Sequence, residues 1–282
     1  MWANRDWVGL HFPSTTRVGE ELAQYAQWCH AVEGNTTFYA LPSAGTVRRW
    51  AQMTPESFRF VFKLPKRVTH ELRLRGVDAD VTAFLRLLEP LGPRCGPITA
   101  QLPPSFGPGD LGVLAAFLRR VPRSARWAVE VRHPLFFDGG RAHDHLDRML
   151  ADHDAERVIL DSRTLFSKPP TDDFERDIWT KKPRVPVIEK AITATPIVRI
   201  IGRTSNAETI DGWQPWFPVI TAWIADGRSP CVFVHTPDNV DALRLARQFH
   251  ADLVASGCDP GPLPTPTAGE PVAQASLFDS FD

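Results

Sequence analysis

The 282-residue sequence has only four cysteines, Cys29, Cys95, Cys231 and Cys258, and no two are spaced as CxxC. That excludes the usual structural zinc spacings and a disulfide framework, and leaves reduced, mostly buried thiols. Charge of one sign is also missing: 32 Lys plus Arg against 33 Asp plus Glu give a formal charge of −1, so no global basic field advertises nucleic acid or an anionic membrane. No run approaches the ~18 apolar residues of a membrane span, and Arg5 and Asp6 interrupt the place where a signal peptide needs its apolar stretch. A cytoplasmic chain without a membrane anchor is expected. GxSxG, HExxH, Walker and kinase signatures are absent, so spacing alone names no nucleophile or reaction.

What is present is the composition of a folded chain, 43% hydrophobic and 23% charged, punctuated by 26 prolines and 18 glycines. Eight short apolar runs recur along it, at 7–11, 31–35, 58–63, 98–101, 127–131, 158–161, 197–201 and 231–235. Each is continuous rather than alternating, as strands covered on both faces are. Helical spacing separates them. Val81, Phe84, Leu85 and Leu88 stop before Pro90, and Leu111, Leu114, Ala115 and Leu118 end at Pro122. An apolar stripe runs from Trp213 to Ile224, and Ser43 and Asp238 have the character of helix N-caps. Strand and helix alternating in series predict an α/β fold, a TIM-like (β/α)8 barrel, as a single domain over 1–260. An open doubly wound sheet alternates in the same way, but the Gly-rich loop that normally follows its first strand is absent. Residues 162–196 form one long interruption after the sixth strand, and 261–282 read as a flexible tail.

Nearly every predicted strand ends in polar residues: His11, Glu33 with Asn35, Lys63, Gln101, Glu130 with Arg132 and His133, Asp161 with Arg163, and His235. Arg199 interrupts the seventh. In a (β/α)8 barrel these ends converge on the mouth that carries the chemistry. The plainer alternative is that strand ends simply meet water and that Glu33, Glu130 and Arg199 are satisfied ion pairs plugging the interior. On the first reading Glu33, Glu130 and Asp161 supply acid, base or ligand groups, and His133 and His235 shuttle protons. Lys63, Arg132, Arg163 and Arg199 then hold an anion, with His11, Asn35 and Gln101 completing the pocket. A divalent metal stays open but is disfavoured, because those cations compete with it for the carboxylates.

These segments carry a resemblance. The runs 32–42 (VEGNTTFYALP), 58–63 (FRFVFK), 101–104 (QLPP), 129–134 (VEVRHP), 160–163 (LDSR) and 235–238 (HTPD) stand in order along the chain. Together they resemble the YecE-like family, domain of unknown function 72, and the 160–163 and 234–238 forms are similar to its YecE branch. The resemblance implies a TIM-like barrel with a pocket lined by these segments, and supplies no reaction. That barrel is also similar to those of metal-dependent endonucleases and sugar isomerases, an analogy of fold alone. In the tail, Gln274, Leu277 and Phe278 resemble the Gln-x-x-Leu-Phe peptide that docks on the bacterial sliding clamp, with Ala275 where Leu is often preferred. Two functions follow as expectations. One is a hydrolase- or isomerase-type enzyme acting on a phosphate- or carboxylate-bearing substrate, with a link to DNA metabolism. The other is a non-enzymatic module that holds nucleic acid or a metabolite and is brought to DNA by the tail.

Overall fold

A computed structural model describes residues 2–266. Eight strands are all parallel: β1 Ala31–Gly34, β2 Arg59–Lys63, β3 Cys95–Gln101, β4 Trp127–Glu130, β5 Ala155–Arg157, β6 Ile159–Asp161, β7 Ile197–Ile201 and β8 Cys231–His235. They form a five-stranded sheet in the order β1-β2-β3-β4-β5 and a three-stranded sheet in the order β6-β7-β8. Only Val158 separates β5 from β6. One extended segment therefore begins against β4 and finishes against β7, and couples the sheets covalently.

The predicted strand at 7–11 does not form. Arg5–Trp7 is a 3-10 turn, and the chain then doubles back so that Val8 bridges Phe12, with Gly9 at a φ of 85° that suits glycine. The apolar residues there serve as a plug: Trp7 is buried, and its indole donates to Asn239 O and Val240 O at 3.0 and 2.8 Å. Apolar content alone could not separate a strand from a buried turn.

The helices are α1 Glu21–Tyr25, α2 Ala44–Met53, α3 Asp78–Leu88, α4 Leu111–Arg120, α5 Arg141–Asp152, α6 Asp173–Lys181, α7 Asn206–Trp213, α8 Trp216–Ala225 and α9 Ala242–Ala255. Ser43 caps α2 as expected, its Oγ accepting Thr46 N–H at 3.1 Å. Asp238 does not cap a helix: α9 starts after Asp241, and Asp238 instead accepts the Val240 N–H at 3.1 Å within the preceding turn. The apolar stripe from Trp213 splits into α7 and α8, and Pro218 sits in the first turn of α8, where its missing N–H costs nothing. The long interruption is not wholly loop. Asp172 accepts the Glu175 N–H at 2.8 Å and starts α6 within it.

Alternation along each strand sends one set of side chains to the helices and the other inward. Val61, Ala128, Val158, Ile197 and Phe233, from both sheets, pack into one inner layer. Around them, larger apolar clusters join strands to helices, one holding Phe60, Phe62 and Phe84, the other Ile159, Trp213 and Phe249. Each such buried side chain contributes about 1.5–3 kcal/mol.

Residues 261–266 are not a free tail. Pro264 O accepts from Arg247 at 2.9 Å, and the Gly261 carbonyl lies 2.8 Å from His250 Nε2. Gln274, Leu277 and Phe278 lie outside the described residues. Among the described residues no helix is long and apolar enough to cross a membrane.

Candidate functional site

Glu33, Lys63, Glu130, Arg199 and His235 share the inward set of their strands, so period-two geometry brings them together from β1, β2, β4, β7 and β8. Arg199 is the hub. Its Nη2 donates to Glu33 Oε2 at 3.0 Å and its Nη1 to Glu130 Oε2 at 3.1 Å. Its Nε lies 2.7 Å from Glu33 Oε1, in a contact too bent for a hydrogen bond. The outer oxygen of Glu130 accepts Arg132 Nε and Nη2 at 2.9 and 2.7 Å. Asn35 donates to Glu33 at 2.7 Å, and Lys63 Nζ donates to Gln101 Oε1 at 2.7 Å. The ends of β1 and β2 are clamped together by Thr37, whose hydroxyl lies 2.7 Å from Lys63 O. Gly34 allows that approach, since a Cβ there would come within 2.4 Å of the Phe62 ring.

The cluster is buried and charged, and each group responds. Burial alone would raise the Glu33 and Glu130 carboxyls, but Arg199 and then Lys63 outweigh it. Glu33 is held well below the usual carboxylate range and Glu130 falls to about 2. The same two glutamates outweigh burial at Arg199 and raise its pKa. Burial lowers Lys63, opposed by Glu33 and reinforced by Arg199. His235 is pushed down to about 4, by burial first and Arg199 after, although Glu33 pulls the other way. At neutral pH both glutamates are ionised and His235 is uncharged. The expected general base and neutral-pH shuttle are therefore not poised there, because paired carboxylates and a desolvated imidazole titrate well below 7.

Asp161 is brought elsewhere. Alternation turns it with Ile159 toward α8, where Oδ2 accepts the Trp216 indole N–H at 2.7 Å and Arg163 Nη2 at 2.8 Å. Arg163 is held there too, its pKa raised chiefly by that bond, and it reaches Glu189 at 3.4 Å. His133 is spent on a local turn, its Nδ1 accepting Leu135 N–H at 3.3 Å with its ring against Phe136. His11 lies on the N-terminal plug, 3.0 Å from Val240 O and edge-on to Trp28. In each case a neighbour two residues away, or a packing partner outside the strands, sets the direction.

Sequence reading missed Lys182. It follows α6, and its charge interacts with Arg199, Glu33, Lys63 and Glu130. Burial, then Arg199, pushes it down to about 8. Lys182 stands inside the 162–196 interruption, and nothing in its spacing ties it to a strand.

Four cations, Lys63, Arg132, Lys182 and Arg199, thus face two carboxylates, Glu33 and Glu130. Among the described residues Asn35 Oδ1 has no hydrogen-bond partner, and His235 Nε2 has only a long contact, 3.5 Å, with Glu33 Oε2. A cavity of about 620 Å³ lies between β1 and β8 under α9, and Glu33 and His235 line both it and the cluster. Among the described residues no three of His, Cys, Asp and Glu are grouped as metal ligands.

The family model of DUF72, protein of unknown function, matches residues 1–268. The UPF0759 protein YecE of Escherichia coli strain K12 is 38% identical over 253 residues, 90% of each chain. Among solved structures, a DUF72 family protein from Enterococcus faecalis V583 superposes with a TM-score of 0.64 at 18% identity, over 83% of this chain and 93% of that one. Another, from Thermotoga maritima MSB8, gives 0.63 at 21% identity, over 89% and 96%. Likeness at that identity speaks for the fold alone.

Proposed function

Because this chain belongs to the DUF72 family, whose function is unknown, we propose its role from the strand-end cluster itself. It takes up a small molecule carrying a phosphate or carboxylate at the C-terminal mouth of a TIM-like (β/α)8 barrel, and works on it as an isomerase- or hydrolase-type enzyme. The closed barrel is part of the proposal. It is supported by the inner layer drawn from both sheets and by Arg199, which joins β7 to β1 and β4.

One observation carries the anion. The Lys63 ammonium is buried with a single hydrogen bond among the described residues, to the neutral amide of Gln101, in a cluster with excess positive charge. Two of its three N–H groups are unspent, and a buried cation in that position is satisfied by a ligand oxygen. The full pairing of Glu33 and Glu130 favours a second reading, a metabolite-binding module without turnover.

Thermal melts in rising inorganic phosphate, with chloride at matched ionic strength as control, test the anion. Saturating a site at about 100 times Kd adds about 2.7 kcal/mol, several degrees in Tm for a chain of this size. That rise disappears in Lys63→Met. An equal rise in both proteins overturns the reading. A link to DNA metabolism rests on Gln274, Leu277 and Phe278 alone. It is tested by whether the full chain displaces a fluorescent docking peptide from a bacterial sliding clamp, and no displacement removes it.

A further inference from the structure

The loop that interrupts the strand pattern delivers a reactive side chain to the mouth. Lys182 closes α6, its N–H bonded to Ile178 O at 2.9 Å. The next residue is tied to the end of β6, Ser162 Oγ donating to Pro183 O at 3.1 Å. The start of α6 is fixed by Glu175, which takes Arg203 Nη2 at 2.5 Å and the Thr204 N–H at 3.0 Å. Anchored at both ends, the segment sets Lys182 beside the C-terminal end of β6, where its charge interacts with Arg199, Glu33, Lys63, Glu130 and His235. Among the described residues its Nζ has neither a hydrogen bond nor an ion pair. Lys181 beside it is the opposite case, exposed and 2.6 Å from Asp177.

Resting on the anion reading above, we propose that Lys182 is the amine of an imine-forming site for a small carbonyl compound bearing a phosphate or carboxylate. The neutral amine adds its lone pair to the carbonyl carbon. One N–H proton passes to the carbonyl oxygen to give the carbinolamine. The oxygen then leaves as water with the second amine proton, and a C=N bond remains; no oxidant or reductant is consumed. Lys63 and Arg132 supply the cations that hold the anionic group, and the ionised Glu33 and Glu130 stabilise the positive charge when the imine is protonated. A protonated imine acidifies the adjacent C–H, which is the chemistry an isomerase or lyase for such a substrate requires. With its pKa at about 8, Lys182 is unprotonated in roughly a tenth of molecules at pH 7, against about 0.04% for an ordinary lysine.

The test treats the purified full chain with glycolaldehyde phosphate and sodium borohydride, then maps reduced adducts by peptide mass spectrometry. Lys182 is expected to be labelled at least about tenfold more than Lys181, with a labelling rate that rises through pH 8. Inorganic phosphate protects it, and Lys182→Arg, which keeps the charge, loses the adduct while melting normally. Equal labelling of Lys181 and Lys182 overturns the amine, and a phosphate-dependent melt in that same protein would leave the anion site standing. Equal labelling of Lys182 by neutral glycolaldehyde supports the amine and removes the anion site instead.

Discussion

Two arginines four residues apart, Arg199 on β7 and Arg203 just beyond it, are both buried and both ion-paired, yet they do different things. Arg203 faces an oxygen in every direction: Leu165 O and Lys168 O at 3.2 and 2.8 Å, Pro169 O at 3.1 Å, Glu175 at 2.5 Å and Glu208 at 2.8 Å. Glu175 is filled in turn by Thr171 and Thr204. That network is closed but for Glu208 Oε2, whose contact with Arg203 Nε is too bent for a hydrogen bond, and its work is to stitch the loop after β6 to the end of β7. Around Arg199 the charges do not balance: among the described residues Lys63 and Lys182 exceed the available carboxylates, and Asn35 keeps an unpartnered oxygen. Burial and charge alone do not mark a site. Buried positive charge in excess of its carboxylate partners does.

The contrast breaks most visibly at Arg203. Arg203→Met strands Glu175 and three carbonyls, and is expected to cost about 3–5 kcal/mol, with faster tryptic cleavage between 162 and 181. A melt within a degree or two of wild type would contradict the closed network. Acid titration sharpens the Arg199 side. Glu130, held down from 4.5 to about 2, contributes stability that is complete above the ordinary carboxylate range and lost as pH falls toward 2. His235, held down from 6.5 to about 4, adds a contribution complete above 6.5 and lost as pH falls through 4. Denaturant melts across pH 7 to 3 should therefore show an early loss of about 1–3 kcal/mol that His235→Phe abolishes. An unchanged profile in that variant rules out a depressed His235.

Smaller still is the stability effect of Lys63→Met. A lysine whose folded pKa is lowered carries a charge the fold disfavours at neutral pH, so its removal is expected to change stability by no more than about 1 kcal/mol, or to raise it. A loss comparable to that of Arg203→Met would make Lys63 a structural partner. His133→Ala, which removes only a local turn contact, is expected to leave stability and phosphate response within about 0.5 kcal/mol of wild type; abolished phosphate response would return His133 to the site.

Much of this was legible before the fold. A continuous apolar run ending in Glu33, Lys63, Glu130 or His235 marks a covered parallel strand, and parallel strands bring such ends to one edge. Asp161 reads identically, but a strand end does not reveal which face its last residue takes, and one position of alternation sends it to Trp216. The N-terminal run looks like a strand until Trp7 finds its partners more than 200 residues away. Asp172 and Glu175 stand at capping spacing, but the surrounding Lys and Pro residues masked α6. With the helix hidden, so was the reach of Lys182.

The most direct measurement is calorimetric titration of inorganic phosphate into the full chain and into Lys63→Met. One saturable site in the wild type, lost in a variant that melts as wild type does, is the expected result. The same weak, unsaturated heat from both proteins would mean that the Arg199 cluster is a structural plug and holds no anion.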